Sequence, residues 1–211
     1  MRRARVDAVS AQPRRRTQAE RREHTETALV AAAAEIVVES GVRALTLARV
    51  GERAGYSRGI VTHHFGSKQG LVDALASSIQ GGFVPGLDAM TPGLERLLAL
   101  VDGYVHAVTA LGTANRAFLL LWAEAASATE LAETFRARDR GFRADLRVDI
   151  DAGLAAGEIR PDADPEAVAV AIVGQLRGIG MQRLVDPEGV DTERLRRDVT
   201  EQWRRALRPD A

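Results

Sequence analysis

From Thr17 to Leu207 the apolar residues of this chain recur at spacings of three and four, and no stretch reads as a half-buried strand. That period gathers apolar side chains on one face of a helix, whereas a strand needs a period of two. The expected fold is therefore all-α, with about nine helices. Abundant Ala and only 4% aromatic residues favour the same outcome.

Local punctuation divides the chain. Thr17-Gln18-Ala19-Glu20 is a capping box, in which side chains and free backbone donors satisfy each other at a helix start. It opens a helix with Ala28, Leu29, Ala32, Ala33, Ile36 and Val37 inward, and Gly41 stops it. Thr46 caps a short helix with Leu47, Val50 and Ala54 inward. Gly55 supplies a turn that tolerates positive φ. Ser57 caps a second short helix with Ile60, Val61 and Phe65 inward; Gly66 breaks it, and Ser67 caps a third helix beginning at Lys68. Two short helices joined by a Gly-containing turn and packed on a longer one form a helix-turn-helix.

Residues 83–93 hold two Pro and two Gly and read as a break. Beyond it, residues 94–111 carry Leu97, Val101, Tyr104, Val105 and Val108 on one face. Residues 115–127 contain Phe118 to Trp122, apolar all round, which is the pattern of a buried helix. Residues 128–156 show a stripe from Leu131 to Leu154, interrupted at Arg138-Asp139. Asp164-Pro165-Glu166 starts a largely apolar helix running to about Val185. Asp191 caps the last helix, with Leu195, Val199, Trp203 and Leu207 four apart. The expected units are a flexible basic arm (1–16), a helix-turn-helix domain (17–66) and a helical body (67–211).

The formal net charge is zero, but it is unevenly spread. Residues 1–70 carry 13 basic and 7 acidic side chains, and residues 71–211 carry 16 and 22. A basic module joined to an acidic body suits a polyanionic partner. The second short helix presents Arg58, Thr62 and His63, which can offer donors to base edges in a major groove. Helix starts at Thr46, Ser57 and Lys68 are suitable phosphate seats, because free N–H groups and the helix dipole add positive potential there. Candidate DNA contacts are Thr46, Arg49, Ser57, Arg58, Gly59, Thr62, His63, His64 and Lys68. The Arg-rich arm is either a further DNA contact or a solvated tail.

Other classes find little support. The absence of Cys excludes disulfides, zinc-thiolate sites and Cys nucleophiles. His63-His64 lacks a third ligand at helical spacing, so no metal is expected. No nucleophile elbow, Gly-rich phosphate loop or acid pair beside a His is visible, and neither enzyme chemistry nor a cofactor is expected. His106, four residues after Asp102, reads as a solvated or hydrogen-bonded His. No apolar stretch follows the Arg-rich start, and no uninterrupted apolar run reaches the ~18 residues of a membrane span. A cytoplasmic protein without membrane attachment is the expectation.

The residues GYSRGIVTHHFGSKQGLVDAL resemble the DNA-binding signature of the TetR family of bacterial regulators. The likeness covers residues 17–75, from the capped first helix to His-Phe-x-Ser-Lys entering the helix that begins at Lys68. It implies a three-helix DNA-binding domain followed by a regulatory domain of about six helices. It also implies a homodimer formed through the last two long helices, and a repressor relieved by a small molecule. Thr62 departs from the pattern: the family usually has Tyr there, which reaches further toward phosphate. The segment LRGIGMQRLVDPEGVD is similar to the connection between the last two helices of many members. The resemblance thus points to Gly174, Gly178, Leu195, Val199 and Trp203 as a dimer seam. It points to Tyr104, Phe118, Trp122, Phe135 and Phe142, with Arg138, Asp139 and Gln175 as polar groups, as an effector pocket for a lipophilic molecule. The helix from Lys68 to near Phe83 is the natural lever between effector and DNA. On the residues alone, a repressor released from a palindromic operator and a ligand-independent organiser or activator both remain open.

Overall fold

The computed structural model describes residues 17–78, 84, 86–110 and 112–209, and every structural statement below concerns these. The basic arm 1–16 and Phe83 lie outside them. Nine α-helices account for the fold, and no strand occurs among the described residues.

Helix α1 (Gln18–Ser40) opens as its sequence demands. The Glu20 amide donates to Thr17 Oγ1 at 3.2 Å, and the Thr17 amide donates to the Glu20 carboxylate at 2.7 Å. Gly41 ends it at φ 80°, a conformation that costs a side chain dearly. Helices α2 (Leu47–Ala54) and α3 (Arg58–Phe65) follow, each capped by a hydroxyl: Thr46 accepts from the Arg49 amide, and Ser57 from the Ile60 amide. Gly55, left-handed at φ 76°, makes the turn between them. A Cβ on Gly51 would stand 2.8 Å from the Tyr56 carbonyl oxygen, so α2 touches this turn backbone to backbone. Helix α4 (Lys68–Ser78) begins with the Gly70 amide donating to Ser67 Oγ.

The body comprises α5 (Leu94–Thr109), α6 (Thr113–Glu124), α7 (Thr129–Ala155), α8 (Pro165–Val185) and α9 (Thr192–Leu207). Helices α5 and α9 pack extensively, as do α7 and α8. Asp164 and Asp191 cap α8 and α9 as their sequences predict. Helix α8 has the length and mean hydropathy of a membrane span, but Ile172, Leu176 and Ile179 are buried inside the protein. It is a core helix, interrupted by Arg177.

Two apolar cores form, and their boundary does not fall at residue 66. One joins α5, the second half of α7, α8 and α9. The other joins α1 to α4 with Ala117, Phe118, Leu119 and Leu121 of α6, and with Leu131 and Phe135 of α7. Helix α6, expected at the centre of the body, packs chiefly on α1. The helix-turn-helix module and the body thus share a core, and a shift of α6 is felt by α1.

The packing departs from expectation at Ile60 and along α9. Ile60, expected inward, is 39% exposed, because α3 turns only Val61 and Phe65 toward the core. Val199, expected at a dimer seam, is 3% exposed and belongs to the core of its own body. Leu195 and Trp203 are partly buried against that same core. The stripe on α9 is real, but it faces α5 of the same chain. Gly174 and Gly178 are different: a Cβ on either would meet nothing within 4 Å. On α8 the close approach within the chain falls at Gly180, where a Cβ would stand 2.9 Å from Leu119.

Candidate nucleic-acid interface

The exposed face of the helix-turn-helix gathers most of the predicted contacts. Thr46, Arg49, Ser57, Arg58, Gly59, Thr62 and His63 are exposed, while His64 and Lys68 are half-buried. Arg58 and Lys68 form no ion pair among the described residues and keep their charge for a partner. Arg49 folds back, donating to Ser40 Oγ at 3.2 Å. Arg53 pairs with Glu39 at 2.6 Å and Glu35 at 3.5 Å, clamping α2 to α1. Thr62 Oγ1 donates to the Arg58 carbonyl at 3.0 Å, so its oxygen is held close to the helix axis. The His64 ring lies 6.0 Å from that of Phe65, and its buried Nδ1 has no partner. Ile60, expected inward, is instead exposed beside Gly59 on the same face, where an apolar side chain suits a thymine methyl.

Helix α4 ties this surface to the body. Gln69 and Thr134 of α7 are hydrogen bonded at 2.5 Å, and Thr134 Oγ1 donates to Asp73 at 2.5 Å. Arg138 donates to Ser77 Oγ at 3.3 Å, near the end of α4. The lever predicted from sequence is thus gripped by α7 at both its start and its end.

The predicted pocket residues converge in part. Tyr104 and Phe142 stack with centroids 5.4 Å apart, and Phe118 lies 5.5 Å from Phe135. Trp122 Nε1 donates to Asp139 at 2.9 Å. Burial raises the Asp139 carboxyl above its ordinary range, while the Trp122 bond and the charges of Arg143 and Arg138 pull it down. Gln175 is elsewhere: it accepts from Trp203 Nε1 at 2.6 Å and donates to Gln202 at 3.1 Å, bridging α8 to α9. The residue that sequence reasoning passed over is Arg177. It is 4% exposed, bonded to Asp139 at 3.2 Å, and its guanidinium carbon lies 4.6 Å from the Phe118 centroid and 5.4 Å from that of Tyr104. Burial pushes its pKa down to about 10, which leaves it cationic at neutral pH. A charge in the middle of a largely apolar helix, away from Glu166 and Arg183 near its ends, was the available signal.

An exposed, capped, positively charged helix-turn-helix on a helical body defines a DNA-binding regulator. Comparison with known proteins agrees. Residues 29–75 match the model of bacterial regulatory proteins of the tetR family, and residues 92–208 match that of the BetI-type transcriptional repressor C-terminal domain. The chain belongs to the TetR family of transcriptional regulators, with a body of the BetI type. The HTH-type transcriptional regulator BetI 2 of Chromohalobacter salexigens is 25% identical over 174 residues, covering 80% of this chain and 81% of that protein. BetI of Stenotrophomonas maltophilia is 33% identical over 123 residues, covering 56% and 63%. The fold is that of NalD, the secondary repressor of the MexAB-OprM multidrug efflux pump in Pseudomonas aeruginosa: TM-score 0.74, 22% identity, 90% of this chain and 99% of that one. TylP, a TetR regulator of Streptomyces fradiae, has a TM-score of 0.75 at 24% identity over 90% of this chain and 89% of its own.

Proposed function

We propose that this protein is a homodimeric repressor that occupies a near-palindromic operator and is released by a small-molecule effector bound in the body. The observation that carries the reading is the grip of α7 on α4. A change around Asp139 and Arg138 is felt by the helix that begins at Lys68, beside the DNA-reading face. A ligand regulates only if it prefers one placement of that helix over another. Support for the dimer comes from the stripe of exposed Val170 and Gly174 and half-buried Gly178 on α8, spaced one turn apart and open to close approach. The repressors BetI and NalD, similar in sequence or fold, point the same way.

The test is operator binding by duplexes selected from a random pool. Two-fold symmetry in the protein should appear as paired half-sites. Lys68→Ala should weaken binding on all sequences alike and flatten the salt dependence by about one unit of slope, as removal of one phosphate contact does. Arg58→Ala should relax base preference at one position of each half-site, at a cost of ~1–3 kcal/mol. A selected site with a single asymmetric half, or a Lys68→Ala protein with the parental salt slope, counts against the reading.

A further inference from the structure

Inside the body, two guanidinium groups share one ring and one carboxylate. The guanidinium carbons of Arg177 and Arg138 lie 4.6 Å and 5.8 Å from the Phe118 centroid. Asp139 bonds Arg177, whereas Arg138 bonds only the Ser77 hydroxyl among the described residues. Nε of each arginine is buried without a hydrogen-bond partner. Buried donors left unmatched are costly, and a buried cation without a full counter-charge more so. A cavity of about 230 Å³, lined by Tyr104, Val108, Asn115, Phe118 and Leu119, shares with this cluster the two rings of Tyr104 and Phe118 over which Arg177 stands. It is smaller than the ~300–1,000 Å³ typical of drug-sized ligands, so it suits a compact molecule.

The signs of these charges select among ligands. A cationic ligand would use the aromatic faces of Tyr104, Phe118 and Phe142, but Arg177 already stands over all three, within 5.8 Å of each centroid. A second cation there would meet like charge. A neutral ligand can offer an acceptor to the free Nε donors but brings no charge to set against two guanidinium groups. An anion supplies both the missing acceptors and the missing charge, in bonds that are shorter and stronger than neutral ones. We propose that the effector is a small organic anion, a carboxylate on an apolar body, whose charge engages Arg177 and Arg138 while its body fills the cavity beside Phe118. Arg138 also gives a route to DNA: drawn toward the anion, it leaves Ser77 and loosens the end of α4. This assignment rests on the effector-released repressor described above and names its ligand class.

The experiment uses the full-length protein in a Trp203→Phe background, so that Trp122, bonded to Asp139, is the sole indole. Hexanoate and phenylacetate are titrated against the amides and the ammonium compounds of the same skeletons, by calorimetry and Trp122 emission. The carboxylates are expected to bind and change the emission, with amides and ammonium compounds roughly 10- to 100-fold weaker. Arg177→Gln should lose a similar factor. Arg138→Gln, at a half-buried position that demands less of folding, should do the same and keep the parental circular dichroism. Binding of the amide or ammonium probes as tight as that of the carboxylates overturns the assignment. So does carboxylate binding unaltered in Arg138→Gln, or silence toward both carboxylates. Operator binding without probe is measured on the same samples: an intact complex that ignores the carboxylates removes only the ligand class, whereas failure to bind any selected duplex removes the repressor reading itself.

Discussion

Replacing Asp149 by Ala is expected to destabilise the protein by about 3–5 kcal/mol, the cost of orphaning one partner of a buried ion pair. At a few degrees per kcal/mol for a chain of this size, melting should fall by about 10 °C. Asp149 is fully buried on α7, and one oxygen accepts from both Arg96 at 2.9 Å and the Gly93 amide at 3.2 Å. The carboxylate therefore fixes the start of α5, where Gly93 has φ 152° and an added Cβ would strike Glu158. The alanine leaves a largely buried guanidinium and a backbone donor with nothing to replace water. A paired change, Asp149→Leu with Arg96→Met, should recover most of the loss, because burying two apolar side chains avoids the desolvation of two charges. Urea denaturation of the three proteins at equal concentration decides it. An alanine variant with the parental midpoint would show that the ion pair contributes nothing.

The sequence disclosed whatever depends on neighbours in the chain. The caps at Thr17, Thr46, Ser57, Asp164 and Asp191 were legible because a cap satisfies amides two or three residues away. Ile60 was misassigned because an eight-residue helix makes barely two turns, and adjacent Ile60 and Val61 cannot both be phased from so few apolar positions. Arg177 was overlooked because its partner Asp139 lies 38 residues away. Nothing local says that a break in the stripe of α7 and a mid-helix arginine in α8 answer one another. Arg138 and Asp139 did read as polar groups interrupting an apolar stripe; the structure sets Arg138 over Phe118 and bonds Asp139 to Arg177 and Trp122. Gln175 posed the same question with a different outcome, since its partners Gln202 and Trp203 lie on α9.

Helix α9 raises the remaining ambiguity, and one pair of variants resolves it. Periodicity identifies an apolar stripe through Leu195, Val199, Trp203 and Leu207 but cannot say whether the chain's own body or a second copy covers it. The body does, so Val199→Glu should behave as a core lesion. A carboxylate at a position 3% exposed within an apolar core should cost about 4 kcal/mol or more, seen as a lowered melting temperature. Gly178→Glu tests the outer face instead. A side chain there has room in the protomer, so folding should survive with near-parental melting of the protomer, while the charge and bulk keep a second α8 away. Sedimentation should then show monomers. Operator affinity should fall roughly 10²–10⁴-fold, because the second half-site no longer binds as part of the same molecule. The reverse pattern, a well-folded monomeric Val199→Glu and a dimeric Gly178→Glu, would mean that α9 leaves α5 to meet its partner. An arrangement of that kind would expose Leu207 and the α5 face that Val199 now covers, at a cost the new interface would have to exceed.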